Sequence, residues 1–365
     1  MIMAKRKQTE AEYLINNRKK QMRNPFVNVF IYLLSFYVLL AIIKALAFDI
    51  SVVNTSNMEQ SILKGDVLVV NKLKLGSRTP ITPLSIPFSS LLSSKEGGWY
   101  SDIIRLKYFR IPGINGINYN DLIVYNTPED MDNPIDKKTQ GVLRVYGLPG
   151  DTLEIRNSVV YVNNNEIHEP FQVQYTYQIK ANSEIDLGIF AENGIQNIKR
   201  LKDNKYLVQT SPSVIDVLKE NSKIDAINRI IPEHVYQDKV YPRNDVFKWS
   251  PILYGPVLTP QIGTEIVLNS ENIALYKYLI INFERKKLDV LDDGKVYIDD
   301  EEKISYTFEN DYYFALGDNR DDAIDSRFIG FIPESHIVGI TSSILISFDD
   351  QTGAIRFGHV FKSIN

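Results

Sequence analysis

From Val29 to Phe48 the chain reads VFIYLLSFYVLLAIIKALAF, twenty positions with Lys44 as the single charge. At the rise of an α-helix that run covers about 30 Å, the thickness of a bilayer's hydrocarbon core. It is apolar on every face, which suits lipid better than a single buried stripe. Lys44 lies one turn from the end, where its stem is expected to snorkel to the headgroups. The pattern predicts one transmembrane helix over 29–48. Residues 1–28 form a basic segment, with Lys5, Arg6, Lys7, Arg18, Lys19, Lys20 and Arg23 against only Glu10 and Glu12. The positive-inside rule then puts the N-terminus in the cytoplasm and the rest beyond the membrane. Ala45-Leu46-Ala47 fits a signal-peptide cleavage site, but the basic lead and the apolar run both exceed signal-peptide dimensions, so a retained anchor is expected.

After the anchor the pattern changes to short β-branched and aromatic runs broken by turn residues. Asp66–Asn71, Asp121–Asn126, Thr152–Ile155, Val159–Val162, Glu265–Leu268, Lys295–Ile298 and Tyr312–Leu316 read as strands. The best helical candidate is Ser213–Asn228, and 76–100, rich in Pro, Ser and Gly, reads as a long loop. The expectation is a mainly β, antiparallel body: a core of residues 49–169 and 311–365, interrupted by an inserted domain over 170–310.

Composition narrows the chemistry. Apolar residues make up 44% and charged residues 24%, as in an ordinary folded protein. A net charge of −4 gives no reason to expect a nucleic-acid partner. The absence of cysteine excludes disulfides, thiolate metal sites and a cysteine nucleophile. No two of His168, His234, His336 and His359 share a metal-ligand spacing, so no metal and no cofactor is expected.

Three clusters carry candidate chemistry: Thr55-Ser56-Asn57-Met58-Glu59-Gln60-Ser61-Ile62-Leu63-Lys64-Gly65-Asp66, Leu143-Arg144-Val145-Tyr146-Gly147-Leu148-Pro149-Gly150-Asp151, and the stretch from Gly317-Asp318-Asn319-Arg320-Asp321 through Asp325-Ser326-Arg327 to Gly330. Singly they read as turns or an ion-paired loop. In this order behind an anchor, the chain resembles the type I signal peptidases, Ser–Lys enzymes whose motifs run S-x-S-M-x-P-T-L-x-x-G-D, K-R-x-x-G-x-P-G-D and G-D-N-R-D-x-S-x-D-S-R-x-x-G. The third motif matches at every fixed position but one over 317–330. Stretches 76–88 and 249–277 are similar to the long-insert branch found in Bacteroidota. The resemblance implies a signal-peptidase-like antiparallel β domain on the periplasmic face of a bacterial cytoplasmic membrane, and a place in protein export.

The departures fall on the chemistry. The family nucleophile position holds Asn57, the general-base position Leu143, the lysine-orienting position Ala323, and the motif proline is Gln60. A hydroxyl attacks a carbonyl only if a base takes its proton, and a lysine serves only when neutral. An amide is a poor nucleophile and leucine has no basic atom, so no catalytic residue is intact and no useful peptidase turnover is expected. Ser56 is one residue out of register; Ser61, with Lys72, Lys64 or Lys74 nearby, is the alternative nucleophile. The resemblance also implies an oxyanion-assisting hydroxyl at Thr55, and cleft-building roles for Met58, Arg144, Asp318, Arg320, Asp325 and Arg327. Scaffold kept and proton-transfer groups lost is the pattern expected of a protein that binds without cutting. Membrane lipid is an expected partner, with signal peptides, an active signal peptidase or export-channel subunits as the protein partners. The alternatives are an active peptidase with a relocated Ser/Lys pair, and a cell-envelope scaffold.

Overall fold

A computed structural model describes residues 25–87, 89, 98–195, 197–231, 239–350 and 352–364. The basic lead of residues 1–24 and His234 lie outside the described residues. The apolar run becomes α1 (Pro25–Leu46), long and apolar enough to cross a membrane and with none of its residues buried against the body. The sequence placed this helix at 29–48. Phe48 instead opens a strand, because the chain turns at Ala47 to pair with the body. Lys44, expected to reach for headgroups, bonds Asp49 Oδ1 at 2.9 Å.

The strands come in the order β1 (Phe48–Val52), β2 (Asp66–Asn71), β3 (Leu122–Asn126), β4 (Gln140–Gly147), β5 (Thr152–Arg156), β6 (Val159–Val162) and β7 (Asn165–Glu166). The middle of the chain adds β8 (Tyr175–Ala181), α2 (Gly188–Glu192), β9 (Ile198–Arg200), β10 (Lys205–Thr210), α3 (Pro212–Lys219), β11 (Ile224–Arg229) and β12 (Leu253–Leu258). Then follow β13 (Glu265–Val267), α4 (Ser270–Asn282), β14 (Leu288–Val290), β15 (Val296–Ile298), β16 (Glu301–Glu302) and β17 (Ser305–Thr307). The chain finishes with β18 (Tyr312–Leu316), α5 (Ser326–Ile329), β19 (Ile332–Pro333) and β20 (Ile337–Ser347). The fold is mainly β and its named strand pairs are antiparallel.

The main sheet has seven strands in the order β1-β2-β20-β3-β4-β18-β19. Side chains alternate across it, as strand geometry requires. Leu122, Val124 and Val142 join Met58, Ile62, Leu68 and Ile344 in one cluster. Ile123, Tyr125, Leu143 and Val145 join Tyr313, Ala315, Ile329 and Ile340 in another. Both faces of β3 and β4 are therefore covered, which is why these strands are almost continuously apolar. Among the described residues β1 is the outermost strand on its side and pairs only with β2.

Residues 170–310 divide between two cores. β11-β8-β10-β9 form a separate sheet around Phe190, Tyr206 and Ile215. From Val240 onward the chain, β12 included, shares one core with β5, β6 and β18, where Tyr276 stacks on Phe331, Phe314 meets Phe331 edge to face and Tyr254 lies tilted against Phe314. The helix expected over Ser213–Asn228 stops at Lys219. The polar turn Glu220-Asn221-Ser222-Lys223 ends it, and Ile227 pairs with Ile179 as β11 adds to β8.

Candidate functional site

The first motif is an excursion between β1 and β2. Val53 N donates to Asp66 O and Gly65 N to Val53 O, both at 2.9 Å, closing residues 54–64 into a loop. Gly65 has φ +90°, and a Cβ there would lie 2.1 Å from the Phe348 carbonyl oxygen, so only glycine fits. Asp66 is fully buried and its Oδ2 accepts from Leu63 N at 2.8 Å. Met58 and Ile62 drop into the core beneath, joined by a 2.8 Å bond from Ile62 N to Met58 O. Gln60, where the family motif has proline, takes φ +83°, a value the pyrrolidine ring forbids.

The third motif closes over this loop. Asp325 accepts at Oδ2 from Gly317 N (3.0 Å) and at both oxygens from the Arg327 guanidinium (2.9 and 2.8 Å), while its Oδ1 also caps α5 through Arg327 N. Arg327 reaches back to the Arg320 carbonyl at 2.7 Å. Arg320 lies over the Tyr146 ring and donates to Glu169 Oε1 at 2.8 Å. Asp318 is fully buried and takes Arg144 in two parallel bonds, Nε to Oδ1 at 2.8 Å and Nη2 to Oδ2 at 2.6 Å. Ser61 Oγ donates to the same carboxylate, and Asp318 N approaches Met58 Sδ at 3.4 Å. Two desolvated charges persist here because the geometry is bidentate and the remaining lone pairs find donors; removing one partner from such a pair costs about 3–5 kcal/mol. The structure thus unites Met58, Ser61, Arg144, Asp318, Asp325 and Arg327 in one buried network spanning all three motifs.

Asn57 sits inside that junction, 8% exposed. Its Nδ2 donates to Ile324 O at 3.0 Å and its Oδ1 accepts from Ile324 N at 3.1 Å, so the amide pairs with a backbone peptide as a strand would. Its own carbonyl accepts from Asn319 N at 3.1 Å. A Cβ on Gly317 would lie 2.3 Å from Ala323 Cβ and 2.5 Å from Asn57 O, so glycine permits the first and third motifs to touch. Leu143 is fully buried in β4, opposite Ile123, within the apolar cluster on the face away from Arg144. Thr55 is half-buried at the start of the loop, and Ser56 is exposed.

Ser61 and the lysines near it in sequence each bond other groups. Ser61 gives its hydrogen to a carboxylate, and Lys72 Nζ is held by Asp49 Oδ2 at 3.0 Å and the Lys44 carbonyl at 2.7 Å. Lys64 pairs with Asp350 and Lys74 with Asp121, each at 2.7 Å. Among the described residues no cluster of three His, Asp or Glu is arranged to hold a metal.

Sequence reasoning missed a polar group at the foot of α1. Burial opposes the Asp49 carboxylate, yet Lys72 and Lys44 together hold it below its ordinary range. Arg78, pushed down to about 10 by burial, donates to Asn126 Oδ1 and to the Ser335 carbonyl at 3.1 Å. The one local signal was Asp49 directly after an apolar run; its partners lie far along the chain.

Two curated relatives are both signal peptidase I from Buchnera aphidicola. That of the Baizongia pistaciae subspecies is 25% identical over 77% of this chain and 75% of its own length. That of the Acyrthosiphon pisum subspecies is 21% identical over 84% of this chain and 71% of its own. A crystal structure of a signal peptidase I from Enterococcus faecalis aligns with 62% of this chain and 98% of that one at 14% identity, with a TM-score of 0.22, a superposition too loose to inform the site. A profile described as signal peptidase, peptidase S26, matches residues 26–213 and 266–346. With nearly three quarters of its length inside that match, from the membrane-length helix through all three motifs, the chain belongs to the signal peptidase family.

Proposed function

We propose that this chain is a signal peptidase homologue that holds extended peptides without hydrolysing them. α1 anchors it in the bacterial cytoplasmic membrane, with the N-terminus cytoplasmic and the β body periplasmic. The observation that carries the reading is the state of position 57. An amide closed on the Ile324 peptide by two hydrogen bonds has neither a nucleophilic atom nor freedom to turn. Position 143 supplies no base, and the lysines nearest the loop in sequence are all spent on carboxylates. What supports binding is the outer edge of β1, which has no second strand against it among the described residues and offers a ladder to an added strand, although Ile50 N there is already turned to Asp49 Oδ1 at 2.9 Å. Signal peptides, presented in extended form at the membrane surface, fit that edge in chemistry and place.

The test uses the full chain in lipid nanodiscs with a model preprotein. The expected result is photocrosslinking of the signal peptide to the β1 edge with no cleavage, and cleavage gained by Asn57→Ser, Leu143→Lys and Ala323→Ser together. Cleavage by the parent that is abolished by Ser61→Ala would establish an active enzyme with a relocated nucleophile. An absence of any peptide crosslink would leave the scaffold reading in its place.

A further inference from the structure

The last turns of α1, β1 and the turn Ile135–Lys137 enclose a cleft of about 490 Å³. Its polar wall carries Lys44, Lys72, Arg78, Lys137 and Lys138 against two carboxylates, Asp49 and Asp136, leaving a surplus of three positive charges. Asp49 is consumed by Lys44 and Lys72 at 2.9 and 3.0 Å. The other three cations make no close ion pair among the described residues, and Asp136 acts on Arg78 and Lys137, and Asp130 on Lys138, only at longer range. Arg78 donates only to neutral acceptors. Lys138 has His336 Nε2 at 3.5 Å, and Lys137, 9% exposed, has the Tyr100 ring at 5.3 Å. Burial lowers both lysine ammoniums, a cost that a bound anion relieves. Asp136 Oδ2 accepts from Thr82 N and Oγ1 at 3.0 and 2.9 Å, while its buried Oδ1 has no donor.

The opposite wall is apolar and belongs to the helix: Val38, Ala41, Ile42 and Ala45. Val38 and Ile42 are 46% and 49% exposed and continue outward along α1. A ligand fitting both walls has an anionic head, a hydroxyl for Asp136 Oδ1 and a hydrocarbon tail running up the helix. We propose that this cleft binds the headgroup phosphate of an anionic phospholipid such as phosphatidylglycerol, with its acyl chains lying along α1. The site would fix the height and tilt of the β body on the membrane. It rests on the membrane placement of α1 and not on the loss of hydrolysis.

The full chain is placed in nanodiscs of phosphatidylcholine with or without phosphatidylglycerol, and the lipid retained after transfer to detergent is counted by native mass spectrometry. The parent is expected to keep phosphatidylglycerol above its bulk share, and Lys137→Gln to lower that retention about fivefold, the effect of one basic residue at a membrane surface. Lys138→Gln repeats the measurement at an adjoining cation, and Lys199→Gln, exposed on β9, is expected to change nothing. Equal retention of phosphatidylcholine, or retention untouched by both variants in folded protein, overturns the proposal. Displacement by excess inorganic phosphate would reassign the cleft to a free anion, and displacement by a signal peptide would reassign it to the peptide; either overturns the lipid. A chain that fails to enter nanodiscs at all refutes the anchor instead, and peptide crosslinking or cleavage is read independently of lipid count.

Discussion

Leu143→Lys puts a number on what the missing base would cost. Leu143 is fully buried on a strand flanked by β3 and β18, amid Ile123, Tyr125, Tyr313 and Ile329. Burial of this kind lowers a lysine pKa by about 3–5 units from roughly 10.4, so at pH 7 the folded chain must hold the amine largely neutral at a cost of about 4–5 kcal/mol. The sign follows from proton counting. Between the two pKa values the unfolded chain binds the extra proton, so the variant regains stability as pH rises, by about 1.4 kcal/mol per unit until the unfolded lysine also titrates. Urea unfolding of the detergent-solubilised chain, followed by the fluorescence of Trp99 and Trp249 from pH 7 to 10, measures both the offset and the slope. Leu143→Met is the control, conserving volume at under about 1.5 kcal/mol and without a pH slope. A Leu143→Lys cost below about 1 kcal/mol and independent of pH would refute the reasoning, because position 143 would then be open to water. The depressed pKa that destabilises this variant is also what a general base needs, so cleavage by the repaired protein should rise over the range where the neutral amine forms.

Two further outcomes follow from the site and its surroundings. Gln60→Pro should cost about 3 kcal/mol or more because φ is +83°, whereas Gln60→Gly should relieve about 1 kcal/mol of left-handed strain; a neutral proline in urea unfolding would mean the loop does not take this turn. Burial, with Lys138 and Arg78 adding to it, pushes His336 down to about 3, so stability is full above the unfolded value near 6.5 and falls as the unfolded chain protonates below it. The slope approaches about 1.4 kcal/mol per pH unit, and His336→Asn should flatten it between pH 6.5 and 5; an unaltered acid limb in thermal unfolding counts against the burial argument.

Much of the fold was legible because its signals are local. The anchor announces itself by length and uniform apolarity, and strands such as Asp66–Asn71 and Val159–Val162 by β-branched runs between turns. α4 was missed although its signals were present: Asn269 caps Asn272 N at 2.8 Å, and Leu275 and Leu279, with Tyr276 and Ile280, lie four apart on its buried side. Ile273, Ala274, Leu275, Tyr276, Tyr278, Leu279, Ile280 and Ile281 run nearly unbroken and include β-formers, so neither period stands out in the sequence. The helix expected over Ser213–Asn228 is present to Lys219 but overruns beyond it, since β11 is specified by pairing with β8 rather than by its own propensity. Within the site, Arg144, Asp318, Asp325 and Arg327 were legible as cleft-building residues through the family motifs, and the structure joins them as two ion pairs. The fates of Lys72, Lys64 and Lys74 were not, because each answers to a carboxylate that only the folded chain brings near.

The retained third motif calls for a different weighing once its contacts are known. Taken as a sequence, an intact Gly317–Arg327 beside a lost dyad argues for a preserved cleft. In the structure nearly every fixed residue there has a folding duty that would persist without any ligand. Asp325 caps α5 and neutralises Arg327, Gly317 lets Asn57 and Ala323 approach, and Asp318 neutralises Arg144 while accepting from Ser61. Losing Asp318 alone would strand a buried guanidinium, a penalty on the scale of the whole stability of many domains. Persistence of the motif therefore speaks for upkeep of the fold and is silent on binding. Asn57 belongs to the same class, since its amide stitches the first motif to the third in a way serine could not reproduce with a single hydroxyl. The claim that this body holds peptides then stands on the open edge of β1 alone, which is why crosslinking at that edge, and not survival of the motifs, decides it.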